Sequence, residues 1–88
     1  MSQKLVLARI PTPGKILSRE IKARGWTQKD LAEIMGHPVQ TINEIIQGSK
    51  QITPETAIEL SQALGTSPEF WTNLEAKYQV HLVASQKT

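Results

Sequence analysis

Hydrophobic residues recur at intervals of three or four positions in five successive stretches of this chain, and polar residues fill the positions between them. In a helix of 3.6 residues per turn, side chains with this spacing lie on one face. The predicted inward-facing residues are Leu17 and Ile21, Leu31 and Met35, Ile42, Ile45 and Ile46, Ala57, Leu60 and Leu64, and finally Phe70, Trp71, Leu74 and Tyr78. The pattern therefore predicts five amphipathic helices around one core. Of these residues, Trp71 and Tyr78 are the two that we expect to face a partner instead of the core, since exposed aromatic residues suit a partner surface.

Prolines, glycines and hydroxyl residues mark the limits of the same five stretches. Ser and Thr favour the position before a helix, Pro its first turn and Gly the position after its end. The predicted boundaries are Pro13-Gly14 and Gly25, Thr27 and Gly36, Pro38 and Gly48, Thr53 and Gly65, then Ser67-Pro68 and a last end near Tyr78. Asp30 lies where a capping box with Thr27 prefers Glu or Gln, so we expect Asp30 to serve mainly the helix dipole.

The two ends of the chain lack these boundary signals. Residues 4–10 and 80–83 are apolar, and each suits a short strand, an arm over the helices, or a segment ordered only by a partner. The sequence therefore predicts an N-terminal arm at 1–12, a helical domain at 13–79 and a C-terminal tail at 80–88.

The overall charge of +2 conceals an asymmetry between the two halves of the 88-residue chain. Residues 1–50 carry eight Lys and Arg against four Asp and Glu, whereas residues 51–88 carry two against four. A basic first half favours a polyanionic partner, and an acidic second half favours a different one. Cysteine is absent, and no apolar run approaches the ~20 residues of a membrane span. We therefore expect one cytoplasmic domain without membrane partners or cysteine chemistry.

Only Gly36-His37 separates the second predicted helix from the third. Two short helices joined by a tight, glycine-containing turn form a helix-turn-helix motif, here at about residues 27–47. Ala32 is small where the two helices approach each other, and Ile42 anchors the third helix in the core. The opposite face of the third helix is polar, and the first turn of such a helix reaches base edges in the DNA major groove. The sequence thus predicts double-stranded DNA as a partner.

The candidate DNA-binding residues are Gln28, Lys29, Val39, Gln40, Thr41, Asn43, Glu44 and Lys50. The amides of Gln40 and Asn43 suit adenine, and Val39 suits a thymine methyl group. The two lysines and Gln28, which lies at a helix N-terminus, suit phosphates. The third helix has no Lys or Arg for a guanine contact, and Glu44 repels a misaligned phosphate. We therefore expect modest affinity and a preference for A·T-rich sites.

Longer segments of this chain resemble one known family. Thr27-Gln28-Lys29-Asp30-Leu31-Ala32, Gly36, Thr41-Ile42, Gly48 and Ile52-Thr53 are similar to the Cro/repressor-type (XRE) helix-turn-helix proteins. The resemblance narrows to the HigA (VapI-like) antitoxins through Pro13-Gly14-Lys15-Ile16-Leu17, Ile52-Thr53-Pro54-Glu55-Thr56-Ala57, Leu64-Gly65-Thr66-Ser67-Pro68-Glu69-Phe70-Trp71 and Asn73-Leu74-Glu75-Ala76-Lys77-Tyr78. It spans roughly residues 13–79.

The resemblance implies an all-α, five-helix domain of the lambda-repressor-like type. It also implies a cytoplasmic homodimer that binds a palindromic operator, represses its own operon and neutralises a HigB-type toxin, an RelE-like ribonuclease. Dimer contacts in this family involve the last helices, so the candidate dimer interface is Phe70, Trp71, Leu74 and Tyr78. Pro38 stands where the family usually has Ser or Thr, so one capping bond and one possible phosphate contact are missing.

Two alternative functions remain open at this point. One is a stand-alone repressor of the same fold without a toxin. The other is a protein-interaction module in which DNA binding is secondary, because a basic ribonuclease would be attracted to the acidic second half. Its acidic residues are Glu55, Glu59, Glu69 and Glu75. For Glu55 and Glu69, a solvated position that favours a helix N-terminus is the simpler interpretation.

An enzymatic function is disfavoured by the sequence. The two histidines, His37 and His81, do not form a metal site, and His37 is best interpreted as a residue of the turn, with a phosphate contact as its alternative role. No phosphate loop, H-E-x-x-H or G-x-S-x-G motif is present in the sequence. We therefore expect no catalytic residue, no metal site and no cofactor.

Overall fold

The computed structural model describes residues 11–86 and folds them into five helices. They are α1 (Pro13–Ala23), α2 (Gln28–Met35), α3 (Val39–Gln47), α4 (Pro54–Leu64) and α5 (Pro68–Gln86). This architecture confirms the all-α, five-helix fold expected from the sequence. The apolar segment 4–10, for which the sequence leaves a strand, an arm or a partner-ordered segment open, lies outside the described residues.

Four of these helices begin at a hydroxyl residue that caps them. The side chains of Thr12, Thr27, Thr53 and Ser67 each accept a hydrogen bond at 3.1–3.2 Å from the backbone N–H three residues later. Asp30 completes a capping box, because its Oδ2 accepts the backbone N–H of Thr27 at 2.8 Å. The expectation that Asp30 serves mainly the helix dipole is therefore wrong, since the shorter side chain still reaches the cap.

The core forms where the inner faces of all five helices meet. Its most deeply buried large side chains are Leu17, Leu31, Ile42, Leu60 and Trp71. Trp71 is 0% exposed, so the prediction that it faces a partner is wrong. Its one polar atom, Nε1, donates a hydrogen bond to Thr66 Oγ1 at 2.7 Å, which lets the whole indole be buried without an unsatisfied donor.

Helix α5 continues well beyond the predicted end near Tyr78 and reaches Gln86. The interpretation of residues 80–83 as a strand or a separate arm is therefore wrong. Between Pro68 and Gln86 the chain contains no further proline and no glycine, so no residue type that commonly ends a helix interrupts it. The consequence is a 19-residue helix whose second half extends the apolar surface of the protein.

Gly14 brings α1 against the end of α3. A Cβ atom at this position would lie 2.4 Å from the carbonyl oxygen of Ile46 and 2.5 Å from that of Ile45. Only a residue without a side chain allows this approach. The sequence marks Gly14 as a helix-boundary signal, whereas in the fold it is buried in the first turn of α1 and supports the helix that carries the candidate DNA-reading residues.

Candidate nucleic-acid interface

Helices α2 and α3 form the predicted helix-turn-helix unit. Gly36 ends α2 with φ at +73°, a left-handed conformation that glycine adopts without a steric penalty. The backbone N–H of His37 then bonds to the carbonyl of Ala32 at 2.9 Å, and the chain turns into α3. Because Ala32 and Ile42 are buried between the two helices, the outer face of α3 is left to solvent.

The candidate DNA-binding residues differ in exposure. Lys29, Val39, Gln40 and Lys50 are exposed, whereas Gln28, Thr41, Asn43 and Glu44 are half-buried. Thr41 lies one helical turn before the buried Ile45, so it occupies the edge of the outer face rather than its centre. Lys50 follows the C-terminal end of α3 and is therefore separated along the helix from the first turn, where Val39 and Gln40 lie.

Gln28 and Asn43 are brought into direct contact. The Nδ2 group of Asn43 donates a hydrogen bond to Oε1 of Gln28 at 3.1 Å. This bond joins the first residue of α2 to the outer face of α3 and fixes both amides in a defined orientation. The second hydrogen on Asn43 Nδ2 and the Oδ1 atom together still match the acceptor and donor of an adenine edge, while the Gln28 NH2 group remains oriented as a donor.

The charges of the basic half are not all available to a polyanion. The guanidinium of Arg24 pairs with Glu20 at 2.8 Å, donates to the carbonyl of Leu64 at 2.6 Å and lies 5.8 Å from the centre of the Trp26 ring. This side chain therefore links the end of α1 to the end of α4. Charge counting includes Arg24 in the basic half, but its structural role depends on a partner 40 residues away.

Two of the four acidic residues in the second half are likewise engaged within the domain. Glu59 on α4 lies 2.8 Å from Nε2 of His37 in the turn before α3. Glu75 on α5 accepts the backbone N–H of Ile52 at 2.9 Å and the side-chain amide of Gln79 at 2.6 Å. The sequence leaves a basic partner open for these two residues, since only Glu55 and Glu69 are better interpreted as solvated acids near a helix N-terminus. No signal in the linear sequence identifies these bonds to His37 and Ile52, because they join residues 22 and 23 positions apart.

The candidate dimer residues on α5 fall into two groups. Trp71 is in the core, whereas Phe70 is exposed and packs edge-on against it, with ring centres 5.0 Å apart. Leu74 and Tyr78 are half-buried. Val80 and Val83 lie in the part of α5 that the sequence reading left out of the helix, and they are 69% and 51% exposed. An exposed apolar surface thus continues along α5 beyond the predicted interface.

Residues 11–86 carry no cluster of three or more potential metal ligands from His, Cys, Asp and Glu. Over the same residues, no helix combines the length and the apolar character that a membrane crossing requires.

Comparison with known proteins gives consistent results. The helix-turn-helix family HTH_3 matches residues 17–71. Antitoxin HigA-1 of Vibrio cholerae is 41% identical over 63 residues, which cover 70% of this chain and 59% of that protein. A HigA-family addiction module antidote protein from Coxiella burnetii superposes with a TM-score of 0.83 at 32% identity, covering 89% of this chain and 86% of that one. Antitoxin HigA of Pseudomonas aeruginosa, solved with the higBA promoter, gives a TM-score of 0.83 at 28% identity, covering 89% and 86%.

Proposed function

Because the chain belongs to the helix-turn-helix family, and within it to the HigA antitoxins, we propose that it is a cytoplasmic homodimeric repressor that binds its own operator and neutralises a ribonuclease toxin. A relative of similar fold was solved with the higBA promoter, which supports DNA binding by this chain. The toxin role follows from membership of the antitoxin family. We assign the protein a binding function rather than a catalytic one.

The observation that carries DNA binding is the paired amide of Gln28 and Asn43 on the outer face of the helix-turn-helix unit. With α3 in the major groove, its first turn presents Val39 and Gln40 to base edges, and Asn43 follows one turn later. Gln28 lies at the N-terminus of α2, where an amide donor suits a phosphate. These side chains offer amide groups, which suit adenine, and the methyl groups of Val39, which suit the thymine methyl, so they favour A·T base pairs.

Dimerisation uses the exposed apolar face of α5. A C₂ dimer places the same patch of each copy against the other, which suits a single long helix with apolar residues on its outer side. The candidate interface keeps Phe70, Leu74 and Tyr78 and gains Val80 and Val83, while Trp71 is excluded because it is inaccessible. The folding unit that we propose accordingly extends from Pro13 to the end of α5 rather than to residue 79.

The proposed function is tested with the purified chain and DNA from upstream of its own gene, against scrambled competitor at two salt concentrations. We expect binding that resists competitor and salt, since pure phosphate attraction falls steeply as salt rises. The double variant Gln40→Ala, Asn43→Ala should lose at least about 30-fold in operator affinity, because two base contacts of about 1–3 kcal/mol each together contribute about 2 kcal/mol or more. Gln62→Ala, an exposed amide on α4, serves as the matched control and should bind as the wild type does.

Toxin neutralisation is tested with the same double variant, co-expressed with the toxin encoded beside it. Retained protection with lost operator binding is the expected result, and it would show that the toxin contacts a surface other than the proposed DNA surface. Loss of both activities in a folded protein contradicts that separation. The absence of any toxin-sized reading frame beside the gene would leave a stand-alone repressor.

A further inference from the structure

The first turn of α3 is secured differently from the first turns of the other helices. Thr or Ser caps the other four, but Pro38 precedes α3 and provides no side-chain hydrogen bond. A side-chain cap normally fixes the first turn of a helix. The base-reading end of the DNA-binding helix therefore depends on other contacts for its position.

The C-terminal end of α3, by contrast, is held by several hydrogen bonds. The carbonyl of Glu44 accepts the backbone N–H groups of Ser49 and Lys50 at 3.0 and 3.2 Å. Glu75 on α5 holds the loop that follows α3, because its carboxylate accepts a hydrogen bond from the backbone N–H of Ile52 in that loop. Gly14 packs directly against the carbonyls at the same end. This end of α3 is set by the core regardless of the turn.

At the N-terminal end of α3, the corresponding contact with the rest of the domain is made by His37. Its Nε2 atom lies 2.8 Å from Oε1 of Glu59, and the two side chains are 31% and 33% exposed. The backbone N–H of His37 is bonded to Ala32, so the residue is fixed in both its main chain and its side chain. Since His37 is two residues before Val39, this bond connects the start of α3 to α4 across 22 positions of sequence.

We propose that His37 is a positioning residue for DNA recognition, which acts by tying the first turn of α3 to Glu59 on α4 in place of a helix cap. The proposal rests on the proposed function and adds to it a residue that is not placed on a base edge. Because the 2.8 Å contact between His37 and Glu59 joins the turn before α3 to α4, it restricts movement of this turn and therefore the angle at which Val39 and Gln40 are presented. A base contact is sensitive to displacements that a phosphate contact tolerates.

The test compares specific and non-specific binding of four variants. His37→Ala and Glu59→Ala should each lower operator affinity by about three- to tenfold, the effect of losing one such hydrogen bond. Affinity for scrambled DNA should change by less than about twofold, because phosphate contacts are retained. His37→Gln, which can place an N–H donor near the same carboxylate, should restore operator affinity. The double variant His37→Ala, Glu59→Ala should be no weaker than either single variant.

Glu55→Ala is the matched control, since Glu55 is an exposed acid one turn earlier on α4. It should bind operator and scrambled DNA as the wild type does. Equal losses on operator and scrambled DNA, failure of His37→Gln to rescue, or additive losses in the double variant would each overturn the positioning role. If His37→Ala fails to fold, Glu59→Ala and the rescue by His37→Gln still decide the matter.

A second measurement needs no DNA. Amide hydrogen exchange in the free protein should accelerate at Thr41, whose N–H bonds to Pro38, when His37 is changed to Ala. Exchange at Lys50, at the other end of α3, should remain as in the wild type. Equal acceleration at both sites would mean general destabilisation and would contradict the proposal. If the wild-type protein does not prefer operator to scrambled DNA, the proposed function fails, and the DNA-positioning role fails with it, whatever the exchange data show.

Discussion

Helix α3 and the second half of α5 present opposite kinds of surface. Helix α3 buries Ile42 and Ile45 on one side and carries amides and Glu44 on the other, so its two faces are chemically distinct. The second half of α5 leaves apolar residues on its outer side, where Val80 and Val83 remain more than half exposed. A contiguous exposed apolar surface on a small domain commonly marks an interaction site. The comparison indicates that α3 is complete as it stands and suited to a polar ligand, whereas the end of α5 requires a second protein surface.

The first half of α5 differs from the second, and Trp71 marks the difference. Replacing Trp71 by Ala should destabilise the protein by about 3–5 kcal/mol, because the indole is fully enclosed and its loss leaves a large cavity. Phe70→Ala removes the exposed ring beside it and should cost about 1 kcal/mol. Thermal and urea unfolding followed by circular dichroism at one protein concentration measures both. Similar losses for the two variants would place both rings in one environment and contradict the division.

The exposed valines test whether the end of α5 is an interface. Val80→Ser with Val83→Ser should raise the dimer dissociation constant by at least about 100-fold, since burial of each valine contributes about 1.5 kcal/mol. Sedimentation equilibrium over a range of concentrations measures this constant. Ile34→Ser with Ile58→Ser is the control, because these isoleucines on α2 and α4 are about as exposed as Val83. A dimer that survives the valine changes and dissociates with the isoleucine changes would move the interface away from α5.

Gly14 tests how far the position of α3 depends on close packing. Gly14→Ala should destabilise the protein by about 1–3 kcal/mol, because the new methyl group meets the carbonyls of Ile45 and Ile46. Operator affinity should fall as well, since relief of the overlap displaces α3. Lys15→Ala, at the exposed neighbouring position, is the control and should leave both quantities unchanged. Unfolding curves and operator titrations of the two variants provide the measurement; a Gly14→Ala protein of wild-type stability would refute the close approach.

The smallest expected effect concerns the contribution of single lysines to operator binding, which should differ between the helix-turn-helix unit and α5. Lys29→Ala should lower operator affinity by less than about 1 kcal/mol and reduce the slope of log K against log salt by about one per protomer, as loss of one phosphate contact does. Lys77→Ala on α5 should leave the slope unchanged. Operator titrations at several salt concentrations, with both variants verified as dimers, measure the slopes. An unchanged slope for Lys29→Ala would remove it from the phosphate-binding set.

Much of the fold could be predicted because its signals are local. The caps at Thr27, Thr53 and Ser67 and the glycine at position 36 act on residues within one helical turn, so they can be recognised from spacing alone. The position at which α5 ends cannot be predicted in this way, because apolar residues without capping signals suit several conformations. The burial of Trp71 cannot be predicted either, because one face of a helix contains both buried and partner-facing positions, and spacing does not distinguish them.

Periodicity and contacts between near neighbours are enough to predict where the five helices begin, the helix-turn-helix unit and the polar outer face of α3. Which charged side chains hold the domain together depends on how the helices pack. In the sequence, Arg24, Glu59 and Glu75 cannot be distinguished from solvated charged residues. In the fold, each forms a hydrogen bond with a residue at least 22 positions away. Because the partner of a long side chain depends on how helices pack, and packing joins residues distant in sequence, no local pattern encodes that choice.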